Sequence, residues 1–154
     1  MLPLPVKMSE ERKFRLYKRE KLCSVTAIDR LFAARPRKGE VVCDAMGKVG
    51  VSLCFPLRMV YGQNPSRGGA PVQFLISVPK KRLRRAVDRV KMRRRVREAY
   101  RLNRHAGSPA VPLDVAFIYV ADKLVPYARV EKAVRCLLEH LDNFSATLSE
   151  PSSL

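Results

Sequence analysis

Carboxylates are scarce in this sequence: 14 Asp and Glu stand against 31 Lys and Arg, for a formal net charge of +17. Asp88, Glu98, Asp114 and Asp122 show no paired spacing that would suit acid–base work. Tryptophan is absent, and the two histidines, His105 and His140, are isolated in sequence. There is no P-loop, no G-x-S-x-G and no H-E-x-x-H. These absences argue against an enzyme whose own side chains carry the chemistry. The four cysteines, Cys23, Cys43, Cys54 and Cys136, form no C-x-x-C pair. Free reduced thiols are therefore expected, and a zinc site of the spaced Cys/His kind is not. No stretch runs apolar for about 18 residues, and the opening "MLPLPVKMSEERKFRLYKREK" turns charged too early for the apolar stretch of a signal peptide. A soluble, cytoplasmic protein with no membrane partner is expected.

What the sequence does have is cationic charge, concentrated in one place. Hydrophobic residues make up 47% of the chain, enough for a real core in one domain. Lys80 to Arg104 holds 13 Lys and Arg against two acids. Within it, "RRAVDRVKMRRRVREAYR" puts arginine at 85, 89, 93, 97 and 101. On a helix each such like-charge neighbour pair costs about 0.2–0.5 kcal/mol. Solvated helical faces usually alternate in sign, and this one does not. An external polyanion is the natural partner. Arginine outnumbers lysine ten to three here, and its planar fork suits phosphate oxygens. No Asn or Gln lies between 84 and 102 to read bases in a DNA groove. The expected partner is therefore a structured RNA recognised by shape, not DNA.

The periodicities outline one domain, 21–145, flanked by a loosely ordered basic arm, 1–20, and a polar, frayed tail, 146–154. Ser24 is a fitting N-cap for a helix over 24–34 with Ile28, Leu31 and Phe32 as its stripe. Residues 35–50 read as loop with a short edge strand. "VSLCFPLRMVY" alternates as one strand with Val51, Leu53, Phe55, Leu57, Met59 and Tyr61 on one face, and Pro56 at an edge or bulge. Val72 to Val78 reads as its antiparallel partner across a long connection. A helix over about 85–103 carries Met92, Val96, Ala99 and Tyr100 as an apolar stripe, and "LDVAFIYV" reads as an inner strand. A last helix begins near Pro126, with Val130, Val134, Leu137, Leu138 and Leu141 inward.

"LISVPKKRLRRAVDRVKMRRRVREAYR" closely resembles the signature of the bacterial ribonuclease P protein component. Ser77, Val78, Lys80 and Lys81 match its strand end and lysine pair. Arg89, Val90 and Lys91 stand at its Arg-Asn-Arg, followed by Arg93, Arg94, Arg97 and the aromatic Tyr100. "RLYKREKLCSVTAIDRLF" is similar to the family's basic stretch and first helix, and the likeness runs from Phe14 to Phe144. The chain departs from the pattern at Val90 and Lys91, in a longer 35–50 segment, and in a turn without glycine.

The resemblance implies an α/β fold (an α+β two-layer sandwich resembling a ribosomal protein domain) in the order αβββαβα, with a left-handed βαβ crossover. It implies a subunit that binds a catalytic RNA and the 5′ leader of precursor transfer RNA. The RNA, with magnesium bound mainly by it, performs the endonucleolytic step, so no protein residue is catalytic or a metal ligand. RNA-binding positions are then Lys80, Lys81, Arg84, Arg85, Arg89, Lys91, Arg93, Arg94, Arg97 and Arg101, and leader-binding positions are Ile28 and Phe32. The alternative is a ribosomal or ribosome-assembly RNA-binding protein of the same fold.

Overall fold

A computed structural model describes Leu16 and residues 20–33, 41–44, 47–64, 72–104 and 112–149. Nearly all of the expected N-terminal arm, and residues 150–154, lie outside the described residues. The elements run α1 (Val25–Ala33), β1 (Val41–Asp44), β2 (Gly47–Cys54), β3 (Leu57–Gln63), β4 (Val72–Ser77), α2 (Ala86–Asn103), β5 (Leu113–Tyr119) and α3 (Tyr127–Ser149). One sheet has the order β1-β2-β3-β5-β4. The expected αβββαβα order therefore gains a strand, β1, supplied by the 35–50 segment. Among the described residues no helix is long and apolar enough to cross a membrane.

Two strand expectations are corrected. Residues 51–61 are not one strand but a hairpin turning at Phe55–Pro56, with Cys54 opposite Leu57 and Leu53 opposite Arg58. A turn residue need not donate to the ladder, so proline is tolerated there. A two-residue turn makes each odd position face the same side as an even one across it. Val51 thus shares a face with Val60, while Leu57, Met59 and Tyr61 face the opposite side. Leu53 and Phe55, expected in that same row, are exposed. The second correction concerns β4, which does not pair with β3. The inner strand β5 lies between them, antiparallel to β3 and parallel to β4. The nearly all-apolar character of "LDVAFIYV" has its cause in this inner position, buried on both faces.

The sheet separates two apolar clusters. On one face α2 presents Met92, Val96, Ala99 and Tyr100, and α3 presents Val130, Val134, Leu137, Leu138 and Leu141, against Leu57, Met59, Phe74, Val115 and Phe117. On the other face the short α1 lays Ala27 and Leu31 over Val49, Val51, Val60 and Ala116. Ser24 caps α1: its carbonyl accepts from Ile28 N at 3.0 Å and its hydroxyl from Ala27 N at 3.5 Å. The carbonyl of Pro126 likewise receives the amides of Arg129 and Val130 at the start of α3. That helix continues to Ser149, so residues 146–149, expected as frayed tail, are helical.

The α1 crossing depends on a missing side chain at Gly62 on β3. A Cβ there would meet Leu31 Cδ2 at 2.9 Å and Val49 Cγ2 at 3.2 Å. Gly62→Ala should therefore destabilise the fold by about 1–3 kcal/mol, the usual cost of overfilling a packed core. Urea unfolding measures it. A variant as stable as the parent would show that α1 floats on the sheet.

The thiol expectation is corrected in part. Cys23 and Cys43 are free and exposed, but Cys54 and Cys136 form a disulfide with Cα atoms 6.5 Å apart. The physical reason is the hairpin. Its change of face turns Cys54 toward the side occupied by α3, where Cys136 sits, although 82 residues separate the two in sequence.

Candidate nucleic-acid interface

The turn after β4 closes when Pro79 O accepts from Arg82 N and Leu83 N, at 3.0 and 3.2 Å. Lys80 and Lys81 stand exposed on it. Arg82 pairs with Asp122 at 3.0 Å, tying the turn to the segment after β5. The chain then enters α2 through the exposed Arg84 and Arg85. Lys91, Arg93, Arg94 and Arg97 are exposed on the helix itself. Like those of Lys80, Lys81, Arg84 and Arg85, their side chains make no hydrogen bond or ion pair among the described residues.

The arginine row is not uniform. At 3.6 residues per turn, each step of four residues drifts about 40°, so Arg101 lies far round the helix from Arg85. Arg89 turns back on the chain and donates to Leu83 O at 3.0 Å and Arg84 O at 2.8 Å. Arg101 grips Glu98 through two bonds, 2.6 and 3.0 Å, which hold the Glu98 carboxyl below the usual carboxylate range. Glu98 neutralises Arg101 and two backbone carbonyls hold Arg89, while the side chains of Arg93 and Arg97 in between have no partner among the described residues. Arg95, not singled out in the sequence, is structural: it donates to Val125 O at 2.7 Å, linking α2 to the approach of α3.

Beside this helix runs a groove of about 370 Å³. Val90, Arg93, Arg94 and Arg97 form its α2 wall, Phe74, Leu75 and Ile76 of β4 its floor, and Lys21, Leu22 and Cys23 its far side. The far side is held by Leu22 N donating to Phe74 O at 2.9 Å, which covers part of β4's open edge. The signal that could have found this wall is the i, i+3, i+4, i+7 spacing of Val90, Arg93, Arg94 and Arg97. The floor was not recognisable, because nothing local shows that β4 is an edge strand. Val90, where the family signature has Asn, gives the wall an apolar contact and is 41% exposed.

Ile28 and Phe32 lie on α1, outside the lining of the groove. Ile28 is half-buried with Leu75 and Ile118 against the smaller cluster, whereas Phe32 is 40% exposed. Leu75 belongs both to the groove floor and to the patch around Ile28, so the two sites share one apolar wall. By register, Arg58 and Ser77 flank Ile118 on that same face of the sheet.

The fold and the site together define an α/β domain that sets exposed arginine side chains, without partners among the described residues, beside an apolar-floored groove. The sequence profile of the family described as Ribonuclease P matches residues 51–142, and the chain belongs to that family. It is 40% identical over 88 residues to the ribonuclease P protein component of one Porphyromonas gingivalis strain, and 41% identical to that of another. Each alignment covers 54% of this chain and spans 64% of the relative's length. Its fold is similar to that of the Staphylococcus aureus RNase P protein, with a TM-score of 0.58 at 16% identity, over 80% of this chain and 96% of that one. A mutant of that protein gives 0.53 at 18% identity, over 92% and 98%.

Proposed function

We propose that this chain is the protein subunit of ribonuclease P. In this reading it binds the catalytic RNA and the 5′ leader of precursor transfer RNA and assists magnesium-dependent removal of that leader. The observation that carries the reading is the set of exposed cations on α2 and its preceding turn, their side chains without partners among the described residues, beside a groove with an apolar floor. Phosphates would meet Lys80, Lys81, Arg84, Arg85, Lys91, Arg93, Arg94 and Arg97. Arg89 and Arg101 would mainly hold the backbone and Glu98, adding long-range attraction. Unstacked bases of a single strand would find apolar contact along the shared Leu75 wall, toward Ile28 and Phe32.

Magnesium prefers oxygen ligands in octahedral array. Among the described residues, the one group of three His, Cys, Asp or Glu side chains near enough to hold a metal is Cys54, Cys136 and His140, which is too soft for it. That group, among the described residues, does not fit magnesium. The ion would sit on the RNA partner, and the protein's contribution is neutralising phosphates and positioning the substrate.

Reconstitution tests the proposal. Protein freed of nucleic acid should leave precursor transfer RNA intact. Added to its cognate catalytic RNA, it should lower the magnesium needed for cleavage and tighten substrate binding. Cleavage by the RNA-free protein would overturn the proposal.

Phe32 offers a finer test. Its exposure means that Phe32→Ala should cost well under the roughly 3–5 kcal/mol of a core phenylalanine. Binding of substrates with a long leader should weaken while mature transfer RNA is spared. Equal weakening of both would move the leader path away from α1.

A further inference from the structure

We propose that Cys54, Cys136 and His140 form a zinc site when the thiols are reduced, and that the disulfide is the metal-free, oxidised state of the same pair. Cys136 and His140 are four apart on α3, so they stack on one face of that helix. Cys54 reaches them from the end of β2. The two sulfurs and a ring nitrogen of His140 lie within 4.8 Å of one another. A tetrahedral zinc with bonds of about 2.3 Å to sulfur and about 2.0–2.1 Å to nitrogen needs S···S of about 3.8 Å and S···N of about 3.6 Å. Small side-chain rotations reach those values from the present positions. The backbone need not move, since a 6.5 Å Cα separation accommodates two thiolates on one ion as well as a disulfide.

The donor chemistry selects the ion. Two thiolates and an imidazole suit zinc and not magnesium or calcium. The sulfurs are half-buried and His140 is exposed, which leaves the fourth vertex to water. His140 has no role in the disulfide, and its ring makes no hydrogen bond among the described residues. Conversion between the states balances simply. Two equivalents of a small thiol, RSH, give their hydrogens to the cysteine sulfurs and leave as RSSR. Zinc then takes both thiolates and releases two protons. Either state pins the end of β2 to α3.

The full chain, reduced with a phosphine and stripped of metal, should bind one equivalent of cobalt(II). The expected spectrum has sulfur-to-cobalt charge transfer and visible bands of a tetrahedral site, bleached by one equivalent of zinc. His140→Ala keeps both cysteines and alters an exposed position, so circular dichroism should show it folded. Its zinc affinity should fall by at least about 10–100-fold, the loss seen when merely a supporting partner of a ligand is removed. Cys54→Ser, which leaves Cys136 as the one thiolate of the group, should at least halve the sulfur band. The proposal is overturned if the reduced chain gives no sulfur-to-cobalt band, if His140→Ala binds zinc as tightly as the parent, or if Cys54→Ser keeps the band at full strength through Cys23 or Cys43.

Discussion

Replacing Arg93 and Arg97 together with glutamine should leave the free protein as stable as before, or slightly more so, while RNA binding weakens. Both side chains are exposed, sit four residues apart and touch no partner among the described residues. Removing their mutual repulsion returns about 0.2–0.5 kcal/mol. If each neutralises about one phosphate, the log–log dependence of affinity on salt should become shallower by about one to two units. The same change at Arg89 or Arg101 should behave in the opposite way, because those guanidiniums hold Leu83 O, Arg84 O and Glu98. Thermal melts without RNA and titrations across a salt series separate the two kinds of arginine. A large stability loss in the Arg93/Arg97 variant with an unchanged salt slope would show that the row braces the fold.

The second large effect is expected at Tyr100, which holds α2 to the sheet without contributing charge. Its ring lies 4.3 Å from Phe74 and 5.7 Å from Phe117, centroid to centroid, and only 3% of the residue is exposed. Tyr100→Ala should cost about 3–5 kcal/mol, a large part of a typical total of roughly 5–15 kcal/mol. For a domain of this size the melting temperature should fall by about 6–20 °C. RNA affinity should fall as well, because the arginines lose their rigid mount. The salt slope of whatever still binds should stay unchanged, since no cation has been removed. A loss below about 1 kcal/mol would mean that α2 rests mainly on its contacts with α3.

The helices were readable from sequence because their information is local. Met92, Val96, Ala99 and Tyr100 recur at helical spacing, and all are buried. The same holds for Val130, Val134, Leu137, Leu138 and Leu141 on α3. The β2–β3 hairpin was hidden because Phe55 and Pro56 are not the Asn-Gly or Asp-Gly usual in two-residue turns, and the apolar alternation runs on unbroken through them. Only the pairing register reveals that the alternating residues change faces there. Strand partners were hidden for a related reason. Nothing within β4 says that its neighbour is β5, about forty residues later, and not β3. For the site, charge density marked α2 at once. Which arginines have internal partners could not be read, because Leu83 O and Arg84 O are backbone acceptors without a sequence signature.

The position of β5 also governs the order in which the molecule can come into being. During synthesis β1, β2 and β3 can form a meander as soon as they emerge. β4 and the cationic α2 must wait for Leu113–Tyr119, because β5 is their link to the rest of the sheet. Until then α2 has no completed surface on which to bury Met92, Val96 and Tyr100, yet its arginines are already available to any RNA nearby. A nascent chain stalled before Leu113 would therefore be a polycation without a fold, and its first durable contact could be made with RNA before it is made with itself.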